Sequence, residues 1–474
     1  MARYDTVIAG GTLVVPFQGE VRGDIAIKDG RIAAIADELG PADAADAIDA
    51  RGKHVFPGAV DAHYHLGIYR DITEDTESET TSSLVGGATT VISYFRTGSH
   101  YLNRSGPYRE IFPEVLEKVG GHSKVDYGFH LAPMTSEHID EIPWLVEQGV
   151  SSFKYYMFYK GLNLSADSRD ARAYTMAEEY DLGHLFEIME AVAALDRTAG
   201  GRISVSLHCE QAELLRVFIE RAKADPTVTG LAEYAAGRPP LTERLSIEEA
   251  GVLADATGVR VNLLHLSSAE ALRTATDVRA RYGLDANLEC TVHHLALTHE
   301  LLAGKGLGGK VNPPIRTQAD VDALWDGVRD GRIGNVASDH ACCMEENKGD
   351  DLWPALPGFG GTALLYPVLL SEGFHRRAVP LARLAEVASA LPARAFNLSR
   401  KGRIEVGADA DLAIVDVGLE RTVTPELCRS AQDHTPFEGI PLRGWPVATL
   451  VRGTPMFRDG EVAKDWPGRY LARA

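Results

Sequence analysis

The chain has 474 residues, of which 45% are hydrophobic and 24% are charged, and its formal net charge is −19. This composition is typical of a folded protein with a sizeable core and excludes a disordered chain. The negative charge and the lack of any basic run argue against a nucleic-acid partner, because Lys and Arg drive binding to phosphates. The length suggests about three domains of ~150 residues, although single α/β barrels also reach it.

The cysteines and the apolar runs bear on the location of the protein. Five cysteines are an odd number without zinc-finger spacing, which is typical of reduced thiols in a cytoplasm. The chain opens with the strand-like run 6–10 and not with a charged and then apolar signal peptide. No apolar run reaches the ~18 residues of a membrane span. We therefore expect a cytoplasmic protein without a membrane partner.

The two ends of the chain share a pattern of short β-runs without helices. Residues 5–35 contain such runs, broken by glycines at turn positions. The same pattern returns at 402–416 and 447–462. Neither end is large enough to bury a core alone. We predict that residues 1–56 and 397–474 together form one small β-sandwich.

The middle of the chain, residues 57–396, alternates strand-like and helix-like segments. Eight apolar runs bounded by turn residues are predicted strands: the run ending at His65, then 88–95, 125–132, 151–159, 203–208, 259–266, 286–295 and 334–339. Helical periodicity lies between most of them, at 111–119, 182–194, 213–224, 247–256 and 269–282. Alternating strands and helices predict a parallel sheet, and eight such units predict a closed (β/α)8 TIM barrel.

Six polar side chains lie at the ends of five predicted strands, where the active sites of such barrels are found. They are His63, His65, Lys154, His208, His265 and Asp339. Alternate residues of a strand share a face, so the two histidines of the His-x-His pair can bind one cation. Each residue also has a structural explanation, such as a hydrogen-bonded histidine or a helix cap at Asp339. One dinuclear metal hydrolase site accounts for all six at once.

Lys154 lies in the aromatic run 153–158, where an unpaired ammonium would be costly to bury. Burial lowers the pKa of a lysine, and the free amine can react with carbon dioxide to give a carbamate. This anion can bridge two divalent metal ions, which would polarise a carbonyl and activate water. Histidine and carboxylate ligands accept zinc, our first expectation, and also manganese or cobalt.

Further motifs extend along the whole chain. They are PGAVDAHYHL at 57–66, GGATT at 86–90, KVNPPIR at 310–316, SDH at 338–340 and GADADL at 407–412. Together they resemble the amidohydrolase superfamily, and within it the cyclic amidohydrolases: dihydropyrimidinase/hydantoinase, allantoinase and dihydroorotase. The resemblance implies a small-molecule cyclic amide as substrate. It also implies a homo-oligomer, either a dimer or a tetramer.

The resemblance assigns the six polar side chains to two metal ions. One ion is expected at His63, His65 and Asp339. The other is expected at His208 and His265, with a carboxylated Lys154 bridging the pair. The implied mechanism is attack of a metal-bridging hydroxide on the ring carbonyl, while Asp339 moves the proton to the leaving nitrogen.

The substrate-binding residues follow from the same resemblance. The segment KYYMFYKG at 154–161 is similar to the hydantoinase version, in which the tyrosine five residues after the lysine donates to the substrate carbonyl oxygen. Tyr159 occupies that position and would stabilise the oxyanion. Thr291 and Asn312 are candidates for holding the amide groups of the ring.

Three departures from the family pattern bear on the substrate. Dihydroorotase has an arginine after His-x-His-Leu, where this chain has Gly67, and MPNT after the second strand, where this chain has SYFR at 93–96. Dihydroorotate is therefore disfavoured. An asparagine expected to bind the ring in hydantoinases is replaced by Gly358. The loops expected to select the ring substituent are 67–79, 96–109 and 161–175.

We predict a hydrolase that opens a hydantoin, a dihydropyrimidine or a related cyclic ureide or imide. Allantoinase or dihydroorotase activity is the alternative. A mononuclear deaminase of the same superfamily would lack the bridging Lys154. A non-catalytic scaffold resembling the collapsin response mediator proteins would have lost metal ligands, whereas all six are present in this chain.

Overall fold

The computed structural model describes residues 3–40, 43–159 and 180–474. The predicted rim loop 161–175 lies outside these residues. No helix within the described ranges is long and apolar enough to cross a membrane. All five cysteines are free and buried.

The strands fall into three groups along the chain. The first group is β1 Tyr4–Val15, β2 Gly19–Lys28, β3 Arg31–Ala36, β4 Ala44–Asp49 and β5 His54–Pro57. The second is β6 Ala59–Tyr64, β7 Ala88–Phe95, β8 Asp126–Leu131, β9 Ser152–Tyr156, β10 Ser204–His208, β11 Arg260–Leu263, β12 Ala286–Thr291 and β13 Asn335–Ala337. The third is β14 Leu412–Thr422, β15 Pro441–Val451, β16 Thr454–Arg458 and β17 Glu461–Val462.

The helices lie mainly between the strands of the second group. They are α1 Ile72–Val85, α2 Tyr108–Val119, α3 Ser136–Asp140, α4 Ile142–Glu147, α5 Leu182–Ala199, α6 Ala212–Ala224, α7 Gly230–Gly237, α8 Pro240–Thr257, α9 Ala269–Tyr282, α10 Gln318–Asp330, α11 Glu345–Lys348, α12 Leu365–Val368, α13 Leu381–Ala385, α14 Leu391–Ala395 and α15 Pro425–Cys428. All five helices predicted from periodicity are present. Several begin with a side-chain cap, such as Ser268, whose hydroxyl accepts the N–H of Ala271 at the start of α9.

The second group of strands forms the predicted parallel barrel. Strands β6 to β13 are neighbours in chain order, and each pairs in parallel with the next. The seam between β13 and β6 is closed by the backbone N–H of His65, which donates to the carbonyl of His340 at 2.9 Å. The side chain of Asp61 also crosses the seam, accepting the backbone N–H and the hydroxyl of Ser338 at 2.9 and 2.6 Å. The barrel prediction is confirmed.

Several barrel strands end earlier than predicted, and two of them end where a neighbouring strand ends. The strand predicted at 151–159 stops at Tyr156, the last residue that pairs with β10, and continues as the 3-10 turn Met157–Tyr159. The strand predicted at 286–295 stops at Thr291, because the neighbouring β13 has only three residues. Both endings leave the following residues at the C-terminal rim of the barrel.

The two chain ends form one mixed sheet of nine strands. Its order is β17-β16-β15-β14-β5-β1-β2-β3, and β4 pairs with β1. Strand β5 joins the two ends, since it pairs in parallel with β1 and antiparallel with β14. Residues of both ends, such as Ile25 and Leu412, share one buried core. The joint β-layer is as predicted, while the domain boundaries at 56/57 and 396/397 remain a prediction.

A buried ion cluster connects the barrel to this sheet. The ammonium of Lys401 lies 2.5 Å from Asp126 of β8 and 2.5 Å from Asp411, and 3.1 Å from Asp409. All four side chains are almost fully buried, so each charge depends on the others for compensation. Two aspartates of the GADADL motif, Asp409 and Asp411, therefore bind Lys401, and through Asp126 the cluster connects the barrel to the terminal sheet.

Candidate metal centre and substrate pocket

The six predicted side chains converge at the C-terminal end of the barrel. His63, His65, Lys154, His208, His265 and Asp339 all line one pocket. They arrive there because β6, β9, β10, β11 and β13 run in parallel and end at the same rim. The pocket is also lined by Ile68, Tyr69, Arg96, His100, Tyr156, Phe158, Tyr159, Val311, Asn312, Ala341, Pro357 and Gly358.

One half of the site is formed by His63, His65 and Asp339. The Nε2 atoms of the two histidines lie 3.0 and 3.1 Å from the same oxygen, Oδ1 of Asp339. One ligand atom from each of the three buried residues lies within 4.8 Å of the others. Burial alone would raise the pKa of Asp339, but the neighbouring histidines hold it well below its ordinary value. The group is an anionic, three-ligand cluster suited to a divalent cation.

The other half of the site is formed by His208 and His265. Nδ1 of His208 and Nε2 of His265 lie 2.9 Å apart, and their ring centroids are 4.3 Å apart. Burial lowers the pKa of His208 to about 4 and that of His265 well below its ordinary value. Both imidazoles are therefore neutral, and two neutral ring nitrogens that face each other have the geometry of ligands to one ion.

Lys154 lines the same pocket, with its amine among aromatic rings. Its Nζ is 4.4 Å from the ring centroid of Tyr94 and 4.8 Å from that of Tyr156. Among the described residues, no carboxylate forms an ion pair with it, and only 1% of the residue is exposed. Burial lowers the pKa of Lys154 to about 7. A neutral amine is therefore accessible at physiological pH, which is the form that reacts with carbon dioxide.

Two buried glutamates orient the imidazoles, and sequence analysis did not assign them a role. Oε1 of Glu289 lies 2.6 Å from Nδ1 of His63 and accepts the backbone N–H of His265 at 3.2 Å. Oε2 of Glu210 lies 2.7 Å from Nε2 of His208. Each glutamate fixes one ring nitrogen as a donor and leaves the other as a metal ligand. A carboxylate inside the apolar run 286–295 was the only available sequence signal for Glu289.

These contacts fit a divalent metal site. Burial lowers the pKa of His63, but Asp339 and Glu289 together raise it to about 9, so the carboxylates attract positive charge to this position. A bound cation would supply that charge. The donor set of imidazole nitrogens and carboxylate oxygens is typical of zinc and of other first-row divalent ions.

The backbone around Asp339 is held in an unusual conformation. The φ angle of Asp339 is 51°, in the left-handed region, which costs about 1–3 kcal/mol for a residue with a side chain. The next residue, His340, lies with Nε2 2.8 Å from the buried carboxylate of Glu79, while its Nδ1 accepts the N–H of Gly361 at 3.1 Å. This network and the Asp61–Ser338 contact hold the loop that presents Asp339 to the pocket.

Two of the three predicted substrate-binding residues line the pocket, and the third does not. Tyr159 lines the pocket, and its ring stacks on that of Tyr156 at 4.5 Å. Asn312 also lines the pocket, and its side-chain oxygen accepts the hydroxyl of Tyr234. Thr291 is buried behind the pocket, where its Oγ1 lies 2.7 Å from Nδ1 of His294. Of the three candidates, Thr291 alone is absent from the described pocket lining.

The residues of the rim loops also separate into two groups. Tyr69 and Arg96 line the pocket. Arg70 turns to α1, with NH1 3.2 Å from Asp75, and Tyr108 donates its hydroxyl to the carbonyl of Ala132. The Arg109 guanidinium lies over Trp144, away from the pocket lining that is described. Among these three arginines of the described rim loops, Arg96 is therefore the one that lines the pocket.

Gly67 cannot be replaced by the arginine of dihydroorotases in this backbone. Its φ angle is 75°, and a Cβ built there would lie 2.7 Å from Cβ of Ile72. Only glycine adopts this conformation without strain. The backbone conformation of this loop therefore excludes the carboxylate-binding arginine at position 67. Arg70 does not replace it, because its guanidinium contacts Asp75.

A parallel eight-stranded barrel with buried histidines, a carboxylate and a lysine at its C-terminal end is the architecture of a metal-dependent hydrolase. Comparison with known proteins agrees. Residues 54–456 match the amidohydrolase family, and this chain belongs to that family. It therefore contains a divalent metal site.

Several relatives cover nearly the whole chain. The allantoinase of Desulfitobacterium hafniense is 30% identical over 473 residues, covering 99% of each chain. The L-hydantoinase of Paenarthrobacter aurescens is 30% identical over 475 residues, covering 98% of each chain. Among solved structures, the L-hydantoinase (dihydropyrimidinase) from Arthrobacter aurescens superposes with a TM-score of 0.88 at 29% identity, covering 98% of this chain and 99% of the other.

Proposed function

We propose that this protein opens the ring of a cyclic amide, a hydantoin or a dihydropyrimidine, at a dinuclear metal centre. The observation that carries the proposal is the convergence of two ligand groups and the buried Lys154 in one pocket. His63, His65 and Asp339 form one group, and His208 and His265 form the other. The names of the relatives, allantoinase and hydantoinase, support the same reaction class.

We infer that the centre holds two divalent ions, with zinc as the first candidate and manganese or cobalt as alternatives. Lys154 would be carboxylated and bridge them. Its burial, its lowered pKa and the aromatic rings around its amine support this modification. When bound, the two ions would polarise a carbonyl and make water a nucleophile at neutral pH.

The side chains of the pocket would transfer the proton, stabilise the oxyanion and bind the ring. Asp339 would accept the proton of the attacking water and deliver it to the leaving ring nitrogen. The hydroxyl of Tyr159 would donate to the carbonyl oxygen as negative charge develops on it. Asn312, whose position is fixed by Tyr234, would hold an amide group of the ring. Thr291 would act only indirectly, through the loop that follows β12.

Allantoin is a second candidate substrate, because several relatives are allantoinases. It is a hydantoin that carries a ureido group, so the two candidates share the ring and differ in the substituent. Arg96 lines the pocket and is 3% exposed, and its guanidinium would bind such a substituent. Dihydroorotate is not proposed, because Gly67 stands where its carboxylate would need an arginine.

The proposal also includes a cytoplasmic location and a homo-oligomer, a dimer or a tetramer. The five free and buried cysteines support the location, since disulfides are rare in a reducing compartment. The family resemblance supports the assembly. Light scattering of the purified protein would measure the oligomeric state.

A substrate panel with metal analysis tests the proposal. The values of kcat/KM would be compared for hydantoin, 5-phenylhydantoin, dihydrouracil, allantoin, succinimide and dihydroorotate. We expect a hydantoin, dihydrouracil or allantoin to exceed dihydroorotate by about 10²-fold, the cost of losing a charge-assisted bidentate contact. Metal analysis should give about two ions per chain. Dihydroorotate as the best substrate, or a metal-free active protein, would contradict the proposal.

A further inference from the structure

One wall of the pocket is a segment of irregular main chain, residues 352–358, which we call the wall segment. Pro357 and Gly358 of this segment line the pocket. None of its residues lies in a helix or strand. The carbonyl groups of such a segment lack the partners that a helix or sheet supplies, so they need other donors when they are buried.

The first partner is the side-chain nitrogen of Lys310. Its Nζ lies 2.8, 3.0 and 2.5 Å from the carbonyl oxygens of Leu352, Trp353 and Ala355. All three contacts are to the wall segment, and burial together with the neighbouring Lys348 lowers the pKa of Lys310 to about 6. The residue is 3% exposed.

The second donor is the ammonium of Lys348, at the end of α11. Its Nζ donates to the carbonyls of Leu356 and Gly358 at 2.9 and 2.5 Å, and to the carbonyl of Lys310 at 3.2 Å. This residue is also 3% exposed. The two lysines together therefore bind five of the seven carbonyls of the wall segment, and they are linked to each other.

Two further contacts complete the arrangement. The N–H of Gly358 donates to the carbonyl of Lys310 at 2.9 Å, and the hydroxyl of Tyr69 donates to the carbonyl of Pro357 at 2.7 Å. Val311 and Asn312, which follow Lys310 directly, line the same pocket. Lys310 thus connects the wall segment to a second pocket-lining segment.

The absence of carboxylate partners indicates a role beyond charge pairing. Within the described residues, neither lysine forms an ion pair. Their partners are backbone carbonyls and, for Lys310, the ring of Tyr234, whose centroid lies 4.7 Å from Nζ. Burying two lysine side chains in this way is expensive compared with an apolar core, and burial lowers the pKa of Lys310 to about 6 and that of Lys348 to about 8. In return, the hydrogen bonds of the two lysines fix the main chain of the wall segment beside the proposed substrate site. Gly358 has no side chain that could do so.

We propose that Lys310 and Lys348 are positioning residues for substrate binding, which hold the wall segment as a rigid surface of the pocket. The inference rests on the proposed function for the identity of the substrate site. Neither lysine contacts the six metal-site side chains through any of these hydrogen bonds. Loss of either side-chain nitrogen should therefore weaken substrate binding while metal content and the chemical step are largely retained.

The test compares Lys348→Met, Lys348→Gln and Lys310→Met with the exposed control Lys305→Met. Methionine keeps the length of the stem but removes every donor, whereas glutamine keeps two N–H groups. We expect KM to rise about tenfold in the methionine variants, as for the loss of charge-assisted hydrogen bonds, with a smaller rise for glutamine. We expect kcat to stay within about threefold and metal content to be unchanged.

Hydrogen–deuterium exchange of peptides covering 349–360 gives a readout that does not depend on activity. Exchange there should be faster in both methionine variants than in the wild type and in Lys305→Met. Unchanged KM and exchange would overturn the proposal, and so would a joint loss of metal and kcat. If the wild type opens no ring in the panel, the proposed function fails, and the exchange result alone decides whether the lysines hold the wall. If Lys348→Met does not fold, Lys348→Gln and Lys310→Met carry the same comparison.

Discussion

The floor and the wall of the pocket are built in opposite ways. The floor consists of the six metal-site side chains at the strand ends, and two of its histidines are held by the buried glutamates Glu289 and Glu210. The wall consists of main chain held by Lys310 and Lys348. Side-chain identity therefore defines the floor, whereas the path of the backbone defines the wall. Substitutions in the floor should change chemistry, and substitutions around the wall should change which substrate binds.

The largest effect is expected from Lys154→Ala. The variant loses the group proposed to bridge the two ions, so metal and activity should fall together, with kcat lower by at least about 10³-fold. A small carboxylate such as acetate or propionate should restore part of both. Metal analysis and rate measurements with and without the acid provide the check. A variant that keeps two ions and its rate without added acid would show that Lys154 does not bridge them.

Asp339→Asn separates metal binding from proton transfer within the floor. Asparagine still offers an oxygen ligand but cannot carry a proton, so most of the metal should remain while kcat falls by about 10²-fold or more. Metal content and kcat measured on the same preparation test this. A near-normal rate would mean that another group moves the proton.

The floor could be predicted from the sequence because its ligands follow recognisable strands. The apolar runs before His63, His208 and His265 mark strand ends, and parallel strands bring those ends to one rim. Glu289 could not be assigned in this way. Its partner His63 is 226 positions away in the chain, and the contact depends on which face of β12 meets β6 across the barrel.

The wall and the rim were less accessible to sequence reasoning. The bounds of the rim loops could be predicted, but the residues in them that face the pocket could not, because their direction depends on tertiary contacts. Arg70 turns away because Asp75 of α1 binds it, whereas Arg96 stays at the pocket. The sequence also predicted that the two chain ends form one β-layer, but it did not predict that β5 pairs with both β1 and β14.

Tyr159→Phe tests the residue that is proposed to stabilise the oxyanion. The variant loses only a hydroxyl, and removal of one oxyanion donor lowers kcat by about 10²- to 10³-fold. Tyr156→Phe is a matched control, because Tyr156 lines the same pocket and stacks on Tyr159 at 4.5 Å. We expect the control to lose less than about tenfold in kcat/KM, the cost of a neutral hydrogen bond. Equal losses would mean that the pair acts through packing.

The smallest expected effect comes from the two glutamates beneath the floor, and it tests how the two halves of the site are connected. Glu289 contacts both halves, because the same oxygen lies 2.6 Å from Nδ1 of His63 and accepts the N–H of His265. Glu210 contacts only His208 among the metal-site side chains that the structure describes.

Loss of such a partner lowers metal affinity by about 10- to 100-fold. Glu289→Gln should therefore weaken the binding of both ions, whereas Glu210→Gln should weaken the binding of one. A metal titration followed by calorimetry would distinguish two changed sites from one. Because glutamine keeps an oxygen acceptor, we place both effects near the lower end of that range. If Glu289→Gln weakens a single ion, the two halves are held independently.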